Sequence, residues 1–231
     1  MGFHPSHLGR EISRAMQPLT AQSYFVVGTD THVGKTYVSS QLIKHFVAKN
    51  IKTIGMKPVA SGCVLIEDAI LNEDVDILTK SSNTKAALDL VNPYRFEPAI
   101  APHIAAEKSA VTIDLDVILR AYQALTALAE VVIVEGAGGF LVPLNAQDTM
   151  ADLAIELRLP IILVVGMRLG CINHALLTVE AIQQRGLVLA GWIANQMDPT
   201  MPMFEENLTT LRRHISAPCL SVVHWQCQAQ F

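Results

Sequence analysis

The chain lacks several signals that would narrow its function at once, and each absence removes a class. No apolar run in its 231 residues reaches the roughly 20 that a spanning helix requires, and the N-terminus shows no secretory apolar region followed by a cleavage site. A soluble, cytoplasmic protein is expected. Cys63, Cys171, Cys219 and Cys227 are scattered with no Cys-x-x-Cys pair, which argues against a disulfide framework or a zinc site. Lys and Arg form no run, and a formal charge of −4 offers no electrostatic footprint for nucleic acid or an anionic membrane surface. No Pro/Gly/Ser-rich linker divides a composition that is 51% hydrophobic, so a single substantial core is expected. These absences leave small-molecule chemistry.

What is present is concentrated in Val26-Val27-Gly28-Thr29-Asp30-Thr31-His32-Val33-Gly34-Lys35-Thr36. An apolar strand empties into a glycine-flanked loop that ends in Gly-Lys-Thr, the pattern of a phosphate cradle. Backbone N–H groups point at a polyphosphate, the lysine reaches the outer phosphates, and the threonine hydroxyl ligates Mg²⁺. Five residues separate Gly28 from Gly34, where the common pattern has four. The flanks fit the mechanism: Tyr24–Val27 reads as a buried strand, and Val38, Leu42 and Phe46 have helical spacing.

Strand-like runs recur at Tyr24–Val27, Thr53–Met56, Leu88–Val91, Val131–Val134, Ile161–Val165, Val188–Ile193 and Cys219–Val223. Most are separated by segments with helical spacing, among them Leu115, Ile118, Tyr122, Leu125 and Ala129, which are read as core. Nearly continuous apolar strands are expected where helices cover both faces of a sheet. The predicted fold is α/β, a single-domain, doubly wound, mostly parallel sheet over residues 23–231, with residues 1–22 as a loose extension. For that extension, a weak organelle-targeting segment or a true start at Met16 are the alternatives.

In such folds ligands sit at the carboxyl ends of the strands. After the second strand Lys57 opens Lys-Pro-Val-Ala-Ser-Gly62, with a charge suited to a transferring phosphoryl group; a solvated surface lysine is the alternative. After the fourth strand Glu135 is followed by Gly136-Ala137-Gly138-Gly139, and a carboxylate ending an apolar strand needs a partner such as Mg²⁺; a capping or surface glutamate is the alternative. Asp74 and Asp76 open a short helical segment, where acidic residues are commonplace. His103, His174 and Asn195 carry no assignment taken singly.

Together these residues resemble the dethiobiotin synthetase family. The phosphate loop with its extra residue, Lys57-Pro-Val-Ala-Ser-Gly62, Asn92-Pro-Tyr94, Ala101-Pro-His103, Val134-Glu-Gly-Ala-Gly-Gly139, Leu169-Gly-Cys-Ile-Asn-His174 and Gly191-Trp-Ile-Ala-Asn195 are similar to family blocks in order and spacing, over roughly Tyr24 to Trp225. Two positions depart: His32 stands where the family often has an acid, and His224 where it usually has proline. The chain also stops at Phe231, earlier than many relatives, so an altered nucleotide affinity or selectivity is expected.

The resemblance implies an ATP- and Mg²⁺-dependent ligase that closes dethiobiotin from 7,8-diaminopelargonic acid and CO₂ supplied as bicarbonate. It implies that Lys35 and Lys57 are catalytic, and that Thr36, Asp74 and Glu135 hold the metal, with Asp74 favoured over Asp76. The nucleotide would be held by Gly28, His32, Val33, Gly34, Lys35, Thr36, Tyr37, Asp74, Glu135, Gly136, Ala137 and Gly138. Asn195, Gln196, Val223, His224 and Trp225 would face base and ribose. Thr31, Lys57, Ser61, Gly170, Cys171, Ile172 and Asn173 would bind substrate, the last four in the partner's site of a homodimer. His103 and His174 would stay structural or supporting. The alternatives are a partner-regulated switch ATPase, whose extra early loop lysine is replaced here by the region of Thr29 and Asp30, and a cobyrinic acid-type amide ligase, whose glutamine-hydrolysing domain is not expected at this length.

Overall fold

Tyr24–Gly28 forms β1, buried at every residue, and its alternation sorts the core into two layers. Phe25 and Val27 join one apolar cluster, while Tyr24 and Val26 join the other. The computed structural model describes residues 19–20, 22–66 and 69–225. Most of the expected N-terminal extension, together with Cys227, lies outside the described residues.

Six parallel strands make the central sheet, in the order β10-β9-β8-β1-β7-β2. Their ranges are β2 (Thr53–Met56), β7 (Val131–Gly139), β8 (Ile161–Met167), β9 (Leu189–Gln196) and β10 (Cys219–Val223). Outside it, β3 (Val59–Ser61) pairs in parallel with β6 (Tyr94–Phe96), and β4 (Val64–Ile66) pairs antiparallel with β5 (Ala69–Leu71). Because β1 lies between β7 and β8 in the middle of the sheet, the loop that leaves its carboxyl end opens into the region where ligands bind in doubly wound folds.

On one face, α1 (Lys35–Val47) buries Val38, Leu42, Ile43 and Phe46 beside Leu78 of α2 (Glu73–Ser81). The other face carries α5 (Leu115–Thr126), α6 (Met150–Leu157), α7 (Cys171–Gln184) and α8 (Phe204–His214), whose buried residues belong to the cluster of Phe25 and Val27. Local chemistry fixes their starts. Asp114 accepts from the Asp116 N–H to begin α5, and Thr149 with Asp152 forms a reciprocal cap at α6, satisfying donors that have no partner within the helix. Trp192, fully buried on β9, donates its indole N–H to the Ala217 carbonyl at 3.2 Å. Among the described residues no helix is long and apolar enough to cross a membrane.

The expected strand at Leu88–Val91 is instead a single helical turn, α3. Four residues of mixed apolar and acidic character are too few for period to separate helix from strand. Only Val91 of the run is fully buried, and Pro93 follows closely enough to stop a longer helix. The turn has a use: the Val91 carbonyl accepts from the Lys57 N–H at 2.8 Å. The remaining expected strands are present, with Val188–Ile193 found as Leu189–Gln196, starting one residue later and ending three later.

Candidate active site

A cleft of about 620 Å³ opens at the carboxyl ends of β1, β2 and β7. Thr31, His32, Gly34, Lys35 and Thr36 of the phosphate loop line it, facing Lys57, Ser61, Asp74, Glu135, Ala137 and Gly138. Val59, Ala99, Ile100, Pro102 and Val142 supply an apolar wall. Pro102 opens α4 (Pro102–Lys108), the element that carries His103.

At the floor of the cleft the Lys57 ammonium sits between two carboxylates, 2.8 Å from Asp74 Oδ2 and 2.5 Å from Glu135 Oε1. Glu135 is wholly buried, because it ends the apolar half of β7 in the middle of the sheet. An isolated charge there would be very costly, and the ammonium offsets it. Burial pulls the Lys57 pKa down, but the attraction of Glu135 and then Asp74 outweighs it and holds the group above the ordinary lysine value. Asp74 shows the mirror effect: burial opposes its charge, yet Lys57 keeps the carboxyl below the usual range. Asn92, also buried, donates Nδ2 to the Lys57 carbonyl at 2.5 Å and to the Tyr94 carbonyl at 3.1 Å, fixing the backbone from which the lysine departs.

Lys35 donates to the Asp30 carbonyl across its own loop at 2.8 Å. Burial, followed by repulsion from Lys57, draws its pKa down to about 8. Asp30 in turn accepts from the Thr31 N–H at 2.7 Å and pairs with Arg168, just beyond β8. Two cations set this close favour an anion between them, as a polyphosphate would be.

The residues present fit Mg²⁺. Glu135 Oε2 is buried with no hydrogen-bond partner among the described residues, while Oε1 accepts from the Thr36 hydroxyl at 2.9 Å. Two carboxylates and a hydroxyl are too few for an all-protein cage, and no cluster of three or more His, Cys, Asp or Glu stands ready to hold a metal among the described residues. Mg²⁺ needs no such cage, since it keeps several waters and takes one or two carboxylates plus substrate phosphates. Asp76 points elsewhere, bonding Lys80 one turn along α2 at 2.6 Å in an exposed pair.

Other expected site residues lie outside this cleft. Asn195 and Gln196 end β9, with Asn195 Nδ2 donating to the Val33 carbonyl at 2.9 Å and Gln196 Oε1 accepting from the Trp225 N–H at 3.1 Å. Val223 is buried at the end of β10, and the His224 ring packs at a tilt against Phe204, 5.7 Å between centroids. Gly170, in the left-handed region at φ 93, begins α7 without a side-chain cap. Cys171 is buried, Ile172 is half-buried and Asn173 is exposed, and none of the four lines the cleft of its own chain. Gly28, Val33, Tyr37 and Gly136 are likewise absent from the lining. Sequence reasoning missed Arg168, which had no motif to mark it, and the apolar wall from Ala99 to Pro102. It also gave Asn92 no role, although its place in Asn-Pro-Tyr was a signal.

A phosphate loop leaving the central strand of a parallel sheet, with a carboxylate at the end of the neighbouring strand, defines a P-loop nucleotide-binding α/β protein. The AAA domain family matches residues 22–230. Among solved structures the chain is similar to the septum site-determining protein MinD complexed with Mg-ADP from Pyrococcus horikoshii OT3, at 15% identity and a TM-score of 0.54, covering 88% of this chain and 81% of that one. It is also similar to a ParA family ATPase from Chlorobium tepidum TLS, at 12% identity and a TM-score of 0.54, covering 90% and 86%. At such identities the likeness speaks to fold alone. Sequence relatives go further: the chain is 54% identical over 202 residues to ATP-dependent dethiobiotin synthetase BioD of Aromatoleum aromaticum, covering 87% of this chain and 90% of that protein. The protein of the same name from Cellvibrio japonicus is 47% identical over 205 residues, covering 89% and 90%. The chain belongs to the ATP-dependent dethiobiotin synthetase family.

Proposed function

We propose that this chain uses ATP and CO₂ to close the ureido ring of dethiobiotin on 7,8-diaminopelargonic acid, with ADP and phosphate as the other products. The observation that carries the reading is a buried lysine, Lys57, held between Asp74 and Glu135 where the phosphate loop meets an apolar wall. That juxtaposition suits a reaction joining an anionic polyphosphate to an aliphatic substrate.

One amine of the diamine captures CO₂ as a carbamate, and a carbamate oxygen attacks the γ-phosphorus of ATP while the bond to ADP breaks. The second amine then attacks the carbonyl carbon of the mixed anhydride, loses a proton and expels phosphate. Two anions must approach in the first transfer, and Lys35 and Lys57 neutralise the repulsion between them. Ser61, whose Oγ is buried without a partner among the described residues, and Thr31, on the cleft wall, are suited to hydrogen-bond the carbamate or the diamine. Thr36, Asp74 and Glu135 would hold Mg²⁺, which when bound supplies positive charge to the polyphosphate. The rest of catalysis is positioning.

The homodimer with shared sites belongs to the same proposal. At the uncapped start of α7 the Cys171 N–H is taken by the Arg168 carbonyl at 2.9 Å, and the other N–H groups and the dipole end around Gly170 to Asn173 suit the carboxylate tail of a partner's substrate. Incubation of the protein with the diamine, bicarbonate, Mg²⁺ and ATP, followed by mass spectrometry, should yield dethiobiotin. ATP hydrolysis without dethiobiotin would overturn the proposal in favour of a switch ATPase.

A further inference from the structure

A phosphate cradle works through backbone N–H groups, yet one side chain of this loop is deeply buried. Val33 is 2% exposed, whereas Thr31 and His32 before it are exposed. Its side chain fills the space that two glycines leave open. A methyl on Gly28 would lie 2.7 Å from Val33 Cγ2, and one on Gly166 would lie 2.6 Å from Val33 Cγ1, both closer than such atoms can approach. Gly28 ends β1 and Gly166 lies near the end of the adjacent β8.

The backbone of the same residue is held from a third strand. Asn195 on β9, in register beside Gly166, donates Nδ2 to the Val33 carbonyl at 2.9 Å. A methyl on Gly34, which has a φ of 90°, would strike that nitrogen at 2.2 Å, so the amide lies directly against the last glycine of the loop. His32 adopts a φ of 57°, a region that side-chain-bearing residues seldom enter and keep only where the surroundings impose it. An anchor on the next residue imposes it here.

We infer that Val33 is the keystone of the phosphate loop, and that Gly166 and Asn195 are positioning residues that set the loop's shape for a polyphosphate. Resting on the ATP reading above, this gives Asn195 a task apart from the base: its Nδ2 donates to the loop and, with its other hydrogen, to Met197 Sδ at 3.3 Å. The socket spans β1, β8 and β9, so the curvature of three strand ends is transmitted to the cradle through one residue.

The test is direct binding of Mg²⁺-tripolyphosphate, which has no base, and of Mg²⁺-ATP, by calorimetry on the full chain, with circular dichroism reporting the fold. Asn195→Ala should lose affinity for both ligands by a similar factor of about tenfold, equivalent to about 1.4 kcal/mol. Gly166→Ala should do the same, because the new methyl displaces Val33 Cγ1, and Val33→Ala, which empties the socket, should also weaken both ligands by a similar factor. An Asn195→Ala protein weakened toward ATP but unchanged toward tripolyphosphate overturns the inference, as does a folded Val33→Ala protein that binds both ligands as the wild type does. Should Gly166→Ala fail to fold, the Asn195→Ala and Val33→Ala comparisons decide. A wild type that binds neither ligand removes the ATP reading itself, whereas normal wild-type binding with unaltered variants removes only the keystone.

Discussion

At the scale of single residues, Lys57 and its two carboxylates form the centre of the site. Removing a cation aimed at developing charge costs on the order of 10²-fold or more, so Lys57→Ala and Lys35→Ala are each expected to cripple turnover. A Lys57→Ala enzyme running near the wild-type rate with saturating substrates would refute the role. Asp74→Asn and Glu135→Gln should shift the Mg²⁺ dependence strongly, while Asp76→Asn, which breaks only an exposed pair with Lys80, should leave it unchanged; a Mg²⁺ titration of activity separates them. The Lys35 pKa, drawn to about 8 from an ordinary 10.5, predicts a split in the pH profiles. In the free enzyme the ammonium discharges above about pH 8, so kcat/KM for ATP should fall there, whereas bound phosphates restore the charge and should carry kcat to higher pH. The sign for stability is opposite. Between about 8 and 10.5 the unfolded chain holds a proton that the folded chain has released, so this group's contribution to stability rises with pH. Coincident kcat and kcat/KM profiles would contradict the assignment.

At the scale of elements, α2 couples folding to the site through its cap. The Asn72 side chain accepts from the Asp74 N–H at 3.0 Å and the Val75 N–H at 3.4 Å, so the residue that starts the helix also sets the backbone of a proposed metal ligand. Asn72→Ala is expected to cost about 1 kcal/mol of stability and to raise the Mg²⁺ needed for half-maximal activity, with Asn72→Asp keeping both close to wild type. Denaturant melts and the Mg²⁺ titration check the two effects. This helix was legible in the sequence because Asn-Glu-Asp precedes an apolar-periodic segment. The Leu88–Val91 turn was not, because four residues carry no usable period. Nor was the Lys57–Glu135 pair: each residue was marked by its position after a strand, but their contact spans 78 positions of sequence and arises only when β2 is laid beside β7. Val33 was legible as a loop residue and illegible as an anchor, since its socket is made by glycines on two different strands.

At the scale of the whole molecule, alternating strands and helices announced a parallel sheet with two covered faces, but not the order in which the strands lie. That order, with β1 between β7 and β8, brings Lys35, Lys57 and Glu135 to one cleft and leaves Gly170 to Asn173 outside it. The proposed dimer joins those two regions across subunits. Mixing an Asn173→Asp subunit, whose charge should repel the substrate tail, with a Lys35→Ala subunit should recover activity through the one composite site free of both lesions. No recovery after verified subunit exchange would count against shared sites. The most direct test of the central claim, that ATP activates a carbamate in this cleft, is to follow oxygen. Bicarbonate labelled with ¹⁸O is added to enzyme, diamine, Mg²⁺ and ATP, and the reaction is quenched before the label exchanges with water. One labelled oxygen should leave in phosphate and one should stay in the dethiobiotin carbonyl; unlabelled phosphate alongside labelled dethiobiotin would contradict activation of a carbamate by ATP.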